Sequence, residues 1–370
     1  MNKITASVLM LLLFCSSISF SQKTTISLLS SEIKEENILK ILETNTLSFP
    51  NNTQISIAIV NGDNTNYIGL IKENDTLKVI NNKRNIFEIG SISKTFTSVL
   101  LSNFINQKEL TLNETLENQF DFELKSGKNI QLVQLANHTS GLPRIPSNMM
   151  LLMSLNQNNP FKNYTPKLLE TYLKDELFLL NPTGEKSSYS NLGAGLLGYI
   201  LTKKSQTSYE GLLQKYIFKP LGMRSSASLL ENVNKDLLVK GRDDKGNVVL
   251  SWEFTDAMVG AGGIKSSVFD MEKYLRKNLT DDPVYSLTHK TTFTISETSE
   301  IALGWHISKN KKTNIIWHNG ATGGYRSCMT FNKSSKKGVI VLSNVSGLST
   351  ESYKIDSLCF QLIKTLTKPF

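Results

Sequence analysis

Strand-like segments lie near both ends of the chain, and a long, mostly helical block separates them. Turn residues such as Asn61-Gly62-Asp63 separate the N-terminal segments, which is typical of an antiparallel meander. Strands are predicted at 54–60, 66–71, 77–80, 303–308, 313–317, 325–331 and 338–342, and terminal helices at 26–43 and 351–367. This order predicts an α+β fold (an α/β sandwich) with one antiparallel sheet built from the N- and C-terminal parts, flanked by helices, and an inserted mostly α-helical domain.

The same order divides the chain into two lobes. We expect an α/β lobe at about residues 22–90 and 291–370 and a helical lobe at about residues 91–290. The functional site is expected in the cleft between them.

Residues 1–21 have the pattern of a cleavable secretory signal, in which Lys3 precedes an apolar segment and small residues precede a cut after Ser21. The apolar segment is too short to span a membrane, and no later segment resembles a span. Phe14 is bulkier than lipoprotein processing normally accepts before a cysteine, which argues against a lipid anchor at Cys15. We therefore expect a periplasmic or secreted protein.

The composition excludes several classes of function. The net charge of +9 is carried by scattered Lys residues without interleaved aromatic residues, so nucleic acid is not an expected partner. Four His residues without an H-x-x-x-H pattern predict no metal site, and no cofactor is implied. Beyond residue 21 the cysteines are Cys328 and Cys359, which we expect as buried thiols, with one optional bridge left open. We expect a monomer.

The segment 87–101 contains an S-x-x-K pattern where an apolar strand meets Gly90 and then a helix. Residues three apart on a helix share a face, so Ser91 and Lys94 would point at the same region of space. A cation and a helix N-terminus both stabilise negative charge at the seryl oxygen, which makes Ser91 a candidate nucleophile. Ser and Lys are also ordinary residues at a helix start, so the pattern alone leaves a structural role open.

Two further segments carry candidate chemistry. Tyr189 can take the seryl proton if a cation such as Lys94 holds it as phenolate or shares its proton. Asn191 can donate its amide to a substrate carbonyl or brace a turn. In Trp317 to Tyr325 a strand enters a Gly-rich turn, where Gly320 would let a substrate backbone approach and the Ala321 N–H would face a carbonyl oxygen.

His318 in the same turn has two interpretations. It can orient a substrate in either its neutral or its charged form, or it can cap the end of the strand.

The order S-x-x-K, Y-S-N, H-x-G, with spacings of roughly a hundred residues, resembles the class C β-lactamase and D-alanyl-D-alanine carboxypeptidase family of penicillin-recognising serine hydrolases. The resemblance extends to H-T-S-G-L-P at 138–143, P-L-G-M at 220–223 and G-G-I-K-S at 262–266. It covers about residues 54–344. Such an ordered set is specific for the family and weakly specific for the substrate.

The resemblance implies a hydrolase that works through an acyl-enzyme. Ser91 would attack an amide or lactam carbonyl while Lys94 and Tyr189 relay its proton, and the N–H groups of Ser91 and Ala321 would bind the oxyanion. Asn191, His318 and Gly320 would position the substrate. Deacylation by water activated by Tyr189 with Lys94 is implied by the resemblance alone.

One motif departs from the family pattern. Class C β-lactamases usually have K-T-G where this chain has His318-Asn319-Gly320, which removes a cation that would hold the substrate carboxylate. Arg326 is the expected replacement. The expected substrate is a β-lactam or a peptidoglycan-derived D-alanyl peptide. Alternatives are a small ester, or a penicillin-binding sensor module that is acylated without turnover; the presence of Tyr189 and the lack of an appended signalling segment favour an enzyme.

Two other patterns are rejected. The segment 193–198 matches G-x-G-x-x-G, but no strand precedes it, so close helix packing explains it better than a dinucleotide site. No G-x-S-x-G elbow surrounds Ser91, which argues against an α/β-hydrolase.

Overall fold

A computed structural model of the protein describes residues 35–310 and 313–367. The predicted signal segment, Cys15 and the first part of the helix predicted at 26–43 lie outside the described residues. The helices are α1 (Glu36–Thr46), α2 (Ser93–Asn106), α3 (Leu132–Ala136), α4 (Met150–Leu155), α5 (Pro166–Thr171), α6 (Asn191–Ser205), α7 (Tyr209–Leu213), α8 (Lys219–Leu221), α9 (Val268–Asn278), α10 (Pro283–Thr288) and α11 (Tyr353–Thr367).

The strands are β1 (Gln54–Asn61), β2 (Asn64–Glu73), β3 (Thr76–Val79), β4 (Phe87–Glu88), β5 (Gly241–Arg242), β6 (Val248–Val249), β7 (Lys265–Ser266), β8 (Phe293–Ser296), β9 (Ser299–Ile301), β10 (His306–Lys309), β11 (Asn314–Ala321), β12 (Arg326–Asn332) and β13 (Lys337–Ser343). Short 3-10 turns include Gly90–Ile92 and Val259–Ala261.

The main sheet joins the two ends of the chain. Among the described residues it has nine strands in the order β3-β2-β1-β13-β12-β11-β10-β9-β8. Its neighbouring strands pair antiparallel, and β1 lies beside β13 with Ile57 opposite Val341. The predicted α+β class with an antiparallel sheet from both ends of the chain is confirmed. Strand β8 at the edge of the sheet and strand β9 beside it were not predicted, because with four and three residues they are too short to give a clear periodic signal.

Side chains of the central strands alternate between two apolar layers, as the period of a strand requires. In β13, Val339 and Val341 pack with the terminal helices α1 and α11, whereas Ile340 and Leu342 face the core that contains α2. Cys328 of β12 and Cys359 of α11 are buried in the first of these layers as free thiols. The thiol state expected from the sequence is confirmed, and the optional bridge is not formed.

The long block between β3 and β8 contributes most of the helices. Its helix α6 packs closely on the turn at 259–261, since a Cβ on Gly198 would lie 3.1 Å from the Cα of Gly260. This contact explains the G-x-G-x-x-G pattern as helix packing. The boundaries of the two lobes stay a prediction. None of the helices in the described ranges has the length and apolar character needed to cross a membrane.

Candidate active site

Ser91 lies in the 3-10 turn that links β4 to α2. The α-helix begins at Ser93, so Ser91 precedes the first helical turn rather than occupying it, and Lys94 lies in that turn. Gly90 has φ +50°, and a Cβ there would lie 2.6 Å from the Ala321 nitrogen. Glycine is therefore required for the turn to approach β11 closely.

Lys94 is the centre of the site. Its side chain is buried (2% exposed), and Nζ lies 3.1 Å from Ser91 Oγ, 2.9 Å from Asn191 Oδ1 and 2.6 Å from the Ala261 carbonyl oxygen. Burial lowers the pKa of Lys94 well below its ordinary value, and the positive charge of Arg144 lowers it further.

The contacts of Lys94 fix the orientation of its amine group when the amine is neutral. A neutral amine has two hydrogens and one lone pair, and the carbonyl and amide oxygens can only accept hydrogen bonds. Both hydrogens therefore go to Asn191 and Ala261, and the lone pair faces the Ser91 hydroxyl. This is the geometry of a general base positioned on a nucleophile.

Tyr189 completes the group around Ser91. The Lys94 nitrogen lies 4.8 Å from the centroid of its ring. Burial raises the pKa of Tyr189 to about 12, and it outweighs the opposing effects of a hydrogen bond with Ser91 and of the charges on Arg144 and Arg326. Tyr189 is therefore a neutral phenol near pH 7. The sequence left two forms of Tyr189 open, a phenolate and a phenol that shares its proton with Lys94. The raised pKa favours the phenol.

Asn191 is oriented by its neighbours. Its side-chain oxygen accepts a hydrogen bond from Lys94 Nζ at 2.9 Å, so the amide nitrogen points away and has no partner among the described residues. The backbone N–H of Asn191 donates to the Arg144 carbonyl (2.9 Å). The neighbouring Ser190 caps α6 by accepting from Gly193 N–H, which leaves the Asn191 amide free to contact a substrate.

The end of β11 carries the candidate oxyanion donor. Thr322 N–H donates to the Tyr325 carbonyl (2.9 Å), and Ala321 is opposite Arg326 in the same register. Hydrogen-bonded and non-hydrogen-bonded pairs alternate in antiparallel strands, so the Ala321 N–H points away from β12. The strand β10 pairs with β11 only as far as Trp317, so it does not reach that edge. The Ala321 N–H therefore lies beside Gly90 and Ser91.

Gly320 has a packing role that the sequence did not reveal. A Cβ at this position would collide with the carbonyl oxygen of Ile89, just before the Ser91 turn. The protein's own backbone thus requires glycine here, whereas the contact with a substrate backbone stays a prediction.

Three of the four histidines gather around Tyr189. The ring of His138 lies 4.4 Å and that of His318 lies 6.4 Å from the Tyr189 ring, centroid to centroid, and His306 lies 5.3 Å from His318. Burial lowers the pKa of His138 and of His318 well below the ordinary value and that of His306 to about 4. All three are therefore neutral at pH 7.

The tautomers of two of these rings follow from their contacts. His318 Nδ1 lies 2.6 Å from the Asn319 carbonyl and must donate to it, so Nε2 carries the lone pair. His138 Nδ1 accepts from Ser190 N–H (3.2 Å), so Nε2 carries the proton. Both Nε2 atoms are buried without a partner among the described residues. Tyr189 thus lies near one ring with a free donor, His138, and one ring with a free acceptor, His318.

The position of Arg326 differs from the sequence expectation. Its guanidinium is bound to the Asp356 carboxylate, with Nε 3.2 Å from Oδ1, and Asn319 donates to the same carboxylate. Its charge is already neutralised, so Arg326 is not a free cation for a substrate carboxylate. The pairing was invisible in the sequence because Asp356 lies on α11, far along the chain.

Sequence reasoning missed Arg144, which directly follows the H-T-S-G-L-P loop. Its side chain is exposed, and its guanidinium carbon lies 5.0 Å from the centroid of the Tyr189 ring. Among the described residues no carboxylate lies within ion-pair distance of it. The adjacent motif was the only available signal.

An aromatic wall stands beside the turn that follows β11. Phe161 stacks on Phe254 at 4.5 Å, and Trp252 lies 5.5 Å from Phe161. Trp252 N–H donates to Glu88 and its carbonyl accepts from Lys265, each at 2.7 Å, which fixes the wall to β4 and β7. A cavity of about 300 Å³ opens between Trp252 and Gly323 and gives the site a neighbouring space.

Known structures share this fold. A class C beta-lactamase from Rhodobacter sphaeroides superposes with a TM-score of 0.73 at 20% identity, covering 90% of this chain and 100% of that one. A beta-lactamase/D-alanine carboxypeptidase from Pseudomonas syringae gives 0.72 at 20% identity over 90% and 98%. An octameric penicillin-binding protein homologue from Pyrococcus abyssi gives 0.74 at 25% identity over 90% and 77%.

Sequence relatives point the same way. A beta-lactamase of Providencia stuartii is 28% identical over 61% of this chain and 55% of its own length. Protein flp of Staphylococcus aureus strain MRSA252 is 27% identical over 70% of this chain and 53% of its own length, so the chain spans about half the length of these curated relatives. The model of the Beta-lactamase family matches residues 56–356, and the chain therefore belongs to the beta-lactamase family.

Proposed function

We propose that the protein is a serine hydrolase that forms an acyl-enzyme on the amide bond of a β-lactam or a D-alanyl peptide. The observation that carries the proposal is the position of Lys94, which is buried, has a lowered pKa and directs its nitrogen at Ser91 Oγ from 3.1 Å. A seryl hydroxyl is a weak nucleophile until a neighbouring base takes its proton. We further propose that the enzyme works in the periplasm or outside the cell, because residues 1–21 resemble a secretory signal.

In the acylation step, Ser91 Oγ forms a bond to the substrate carbonyl carbon and its proton passes to Lys94. The N–H groups of Ser91 and Ala321 stabilise the oxyanion. The carbon–nitrogen bond then breaks, and the leaving nitrogen receives a proton from the Tyr189 hydroxyl, which Lys94 replaces. A neutral Tyr189 suits this role because it holds a proton near pH 7.

In the deacylation step, a water molecule attacks the ester formed on Ser91. Tyr189 together with Lys94 takes the water's proton, and the proton returns to Ser91 Oγ when the acid product leaves. The three side chains thus return to their starting states, and no cofactor takes part.

The arrangement restricts how a substrate is held. The free amide nitrogen of Asn191 is a donor for a substrate carbonyl, and His318 Nε2 is an acceptor for an N–H or O–H group. A neutral His318 cannot replace the cation of K-T-G as a partner for a carboxylate. A small ester without a carboxylate is therefore the second candidate substrate.

The function is tested by comparing three reactions of the mature enzyme: hydrolysis of a chromogenic cephalosporin, release of D-alanine from a muropeptide, and cleavage of a p-nitrophenyl ester. We expect turnover of at least one amide substrate. Activity on the ester alone would replace the proposed function by an esterase. One equivalent of product followed by no steady-state rate would identify a penicillin-binding sensor.

Tyr189→Phe should show whether Tyr189 donates a proton to the leaving nitrogen or accepts the proton of Ser91. We expect acylation by a β-lactam to fall by about a hundredfold or more, because its leaving nitrogen needs a proton. Acylation by a p-nitrophenyl ester should change less than about tenfold, because p-nitrophenolate leaves unprotonated. Rapid-mixing measurement of the acylation phase checks both. Equal losses on the two substrates would mean that Tyr189 is itself the base for Ser91.

The pH dependence of ester acylation should follow the protonation of Lys94. Burial and Arg144 lower its pKa, so the base form is present at neutral pH and the rate falls as pH drops through that lowered pKa. No decline is expected on the alkaline side up to about pH 10, because the ester's leaving group needs no proton and Tyr189, with a pKa of about 12, stays neutral over this range. The kcat/KM profile checks this, and a decline between neutral pH and about pH 10 would contradict the assigned protonation states.

A further inference from the structure

We infer that Arg144 binds a carboxylate on the substrate that acylates Ser91, and so performs the recognition that K-T-G performs through its lysine. The inference rests on the proposed function, because it concerns a substrate of that same site. Neither the S-x-x-K nor the H-x-G pattern contains this residue.

Arg144 is fixed beside the reacting groups by its backbone. Its carbonyl accepts from the N–H groups of Asn191 (2.9 Å) and Leu192 (3.1 Å) at the start of α6. The guanidinium carbon then lies 5.0 Å from the centroid of the Tyr189 ring. This cation therefore lies next to the ring of the residue whose hydroxyl is assigned the proton transfer to the leaving group. A group a few bonds away from a bound carbonyl can reach it.

Two other basic side chains near the site are already engaged. Lys94 directs its nitrogen to Ser91, Asn191 and Ala261, and Arg326 is bound by Asp356. Arg144 differs, since it has no acidic partner within 4.0 Å in the described ranges and its side chain is exposed to solvent. Its guanidinium is thus open to a ligand.

The aromatic rings around Tyr189 bring no negative charge to Arg144. The Tyr189 ring beside Arg144 is neutral near pH 7, and so are the rings of His138 and His318 that lie near Tyr189. The positive charge of Arg144 also opposes protonation of Lys94 and His138. A substrate carboxylate would balance this charge, and the planar guanidinium can bind a carboxylate through two parallel hydrogen bonds.

The test compares two esters with the same acyl chain length, mono-p-nitrophenyl glutarate with a carboxylate and p-nitrophenyl valerate without one. The wild-type enzyme should prefer the glutarate ester. Arg144→Gln should reduce kcat/KM for the glutarate ester by about ten- to a hundredfold and leave the valerate ester within about twofold. Arg144→Lys should lose less kcat/KM for the glutarate ester, because lysine keeps the positive charge but lacks the two parallel N–H donors of the guanidinium. Arg224→Gln, an exposed substitution with the same charge change on the turn after α8, should alter neither ester.

Each outcome separates the inference from the proposed function. Equal losses on both esters would overturn carboxylate binding and leave Arg144 as a residue that only adjusts the site. No loss on either ester would overturn the inference outright. Hydrolysis of the valerate ester that survives Ser91→Ala would instead contradict the proposed function, whatever the Arg144 variants do.

Discussion

Ser91→Ala is expected to abolish covalent labelling by a fluorescent penicillin and to reduce hydrolysis of every substrate by about four orders of magnitude or more. The reason is that the variant lacks the oxygen that forms the acyl bond, while its backbone N–H and the Ala321 N–H stay in place. Gel fluorescence and intact-mass measurement check the label, and a fluorophosphonate probe repeats the test with a reagent that needs no β-lactam recognition.

The matched control is Ser335→Ala, which removes a hydroxyl from an exposed turn between β12 and β13. This variant should be labelled as the wild type is. If the Ser91 variant retained either label or turnover, the nucleophile would be another residue, and the alignment of Lys94 with Ser91 Oγ would lose its mechanistic meaning.

The main sheet and the contact of Lys94 with Ser91 were predictable from the sequence because their signals are local. Alternating apolar residues mark β1 and β13, and the spacing of Ser91 and Lys94 places them together whatever the rest of the fold does. The contact of Lys94 with Asn191 joins residues 97 positions apart, and only the order of the motifs suggested it.

Other features depend on long-range packing and could not be predicted. Asp356 neutralises Arg326 only because α11 lies against β12, and Gly320 is needed because Ile89 passes over it. The protonation states of Tyr189 and His318 follow from the depth of burial, which no short motif encodes. The missed cation, Arg144, directly follows a recognised loop, but its lack of an ion pair within residues 35–310 and 313–367 is a property of the fold.

The histidine in place of the K-T-G lysine changes the electrostatics of substrate binding more than its hydrogen bonding. His318 is neutral and presents a lone pair, so the end of β11 carries no fixed positive charge. An exposed positive charge lies instead on Arg144, whose guanidinium carbon is 5.0 Å from the centroid of the Tyr189 ring. Substrates with a carboxylate should therefore depend on the loop at 138–144 rather than on β11.

Replacing Lys94 should distinguish a base from a fixed charge. We expect Lys94→Ala to lower the acylation rate by about two to four orders of magnitude, because Ser91 loses its proton acceptor. Lys94→Arg should be similarly impaired, since a guanidinium keeps the charge but does not release a proton in this pH range. Rapid-mixing acylation kinetics check both variants, and thermal unfolding shows whether they stay folded once Asn191 and the Ala261 carbonyl lose their donor.

Small primary amines provide the internal control for the alanine variant. If the lost group is a base, an added amine should restore acylation, and the restored rate should rise with the amine's basicity. If Lys94→Arg acted at the wild-type rate, positive charge alone would suffice and the proton would have to pass to Tyr189. Since the Tyr189 pKa of about 12 keeps its proton in place near pH 7, we expect the arginine variant to fail while the amine restores the alanine variant.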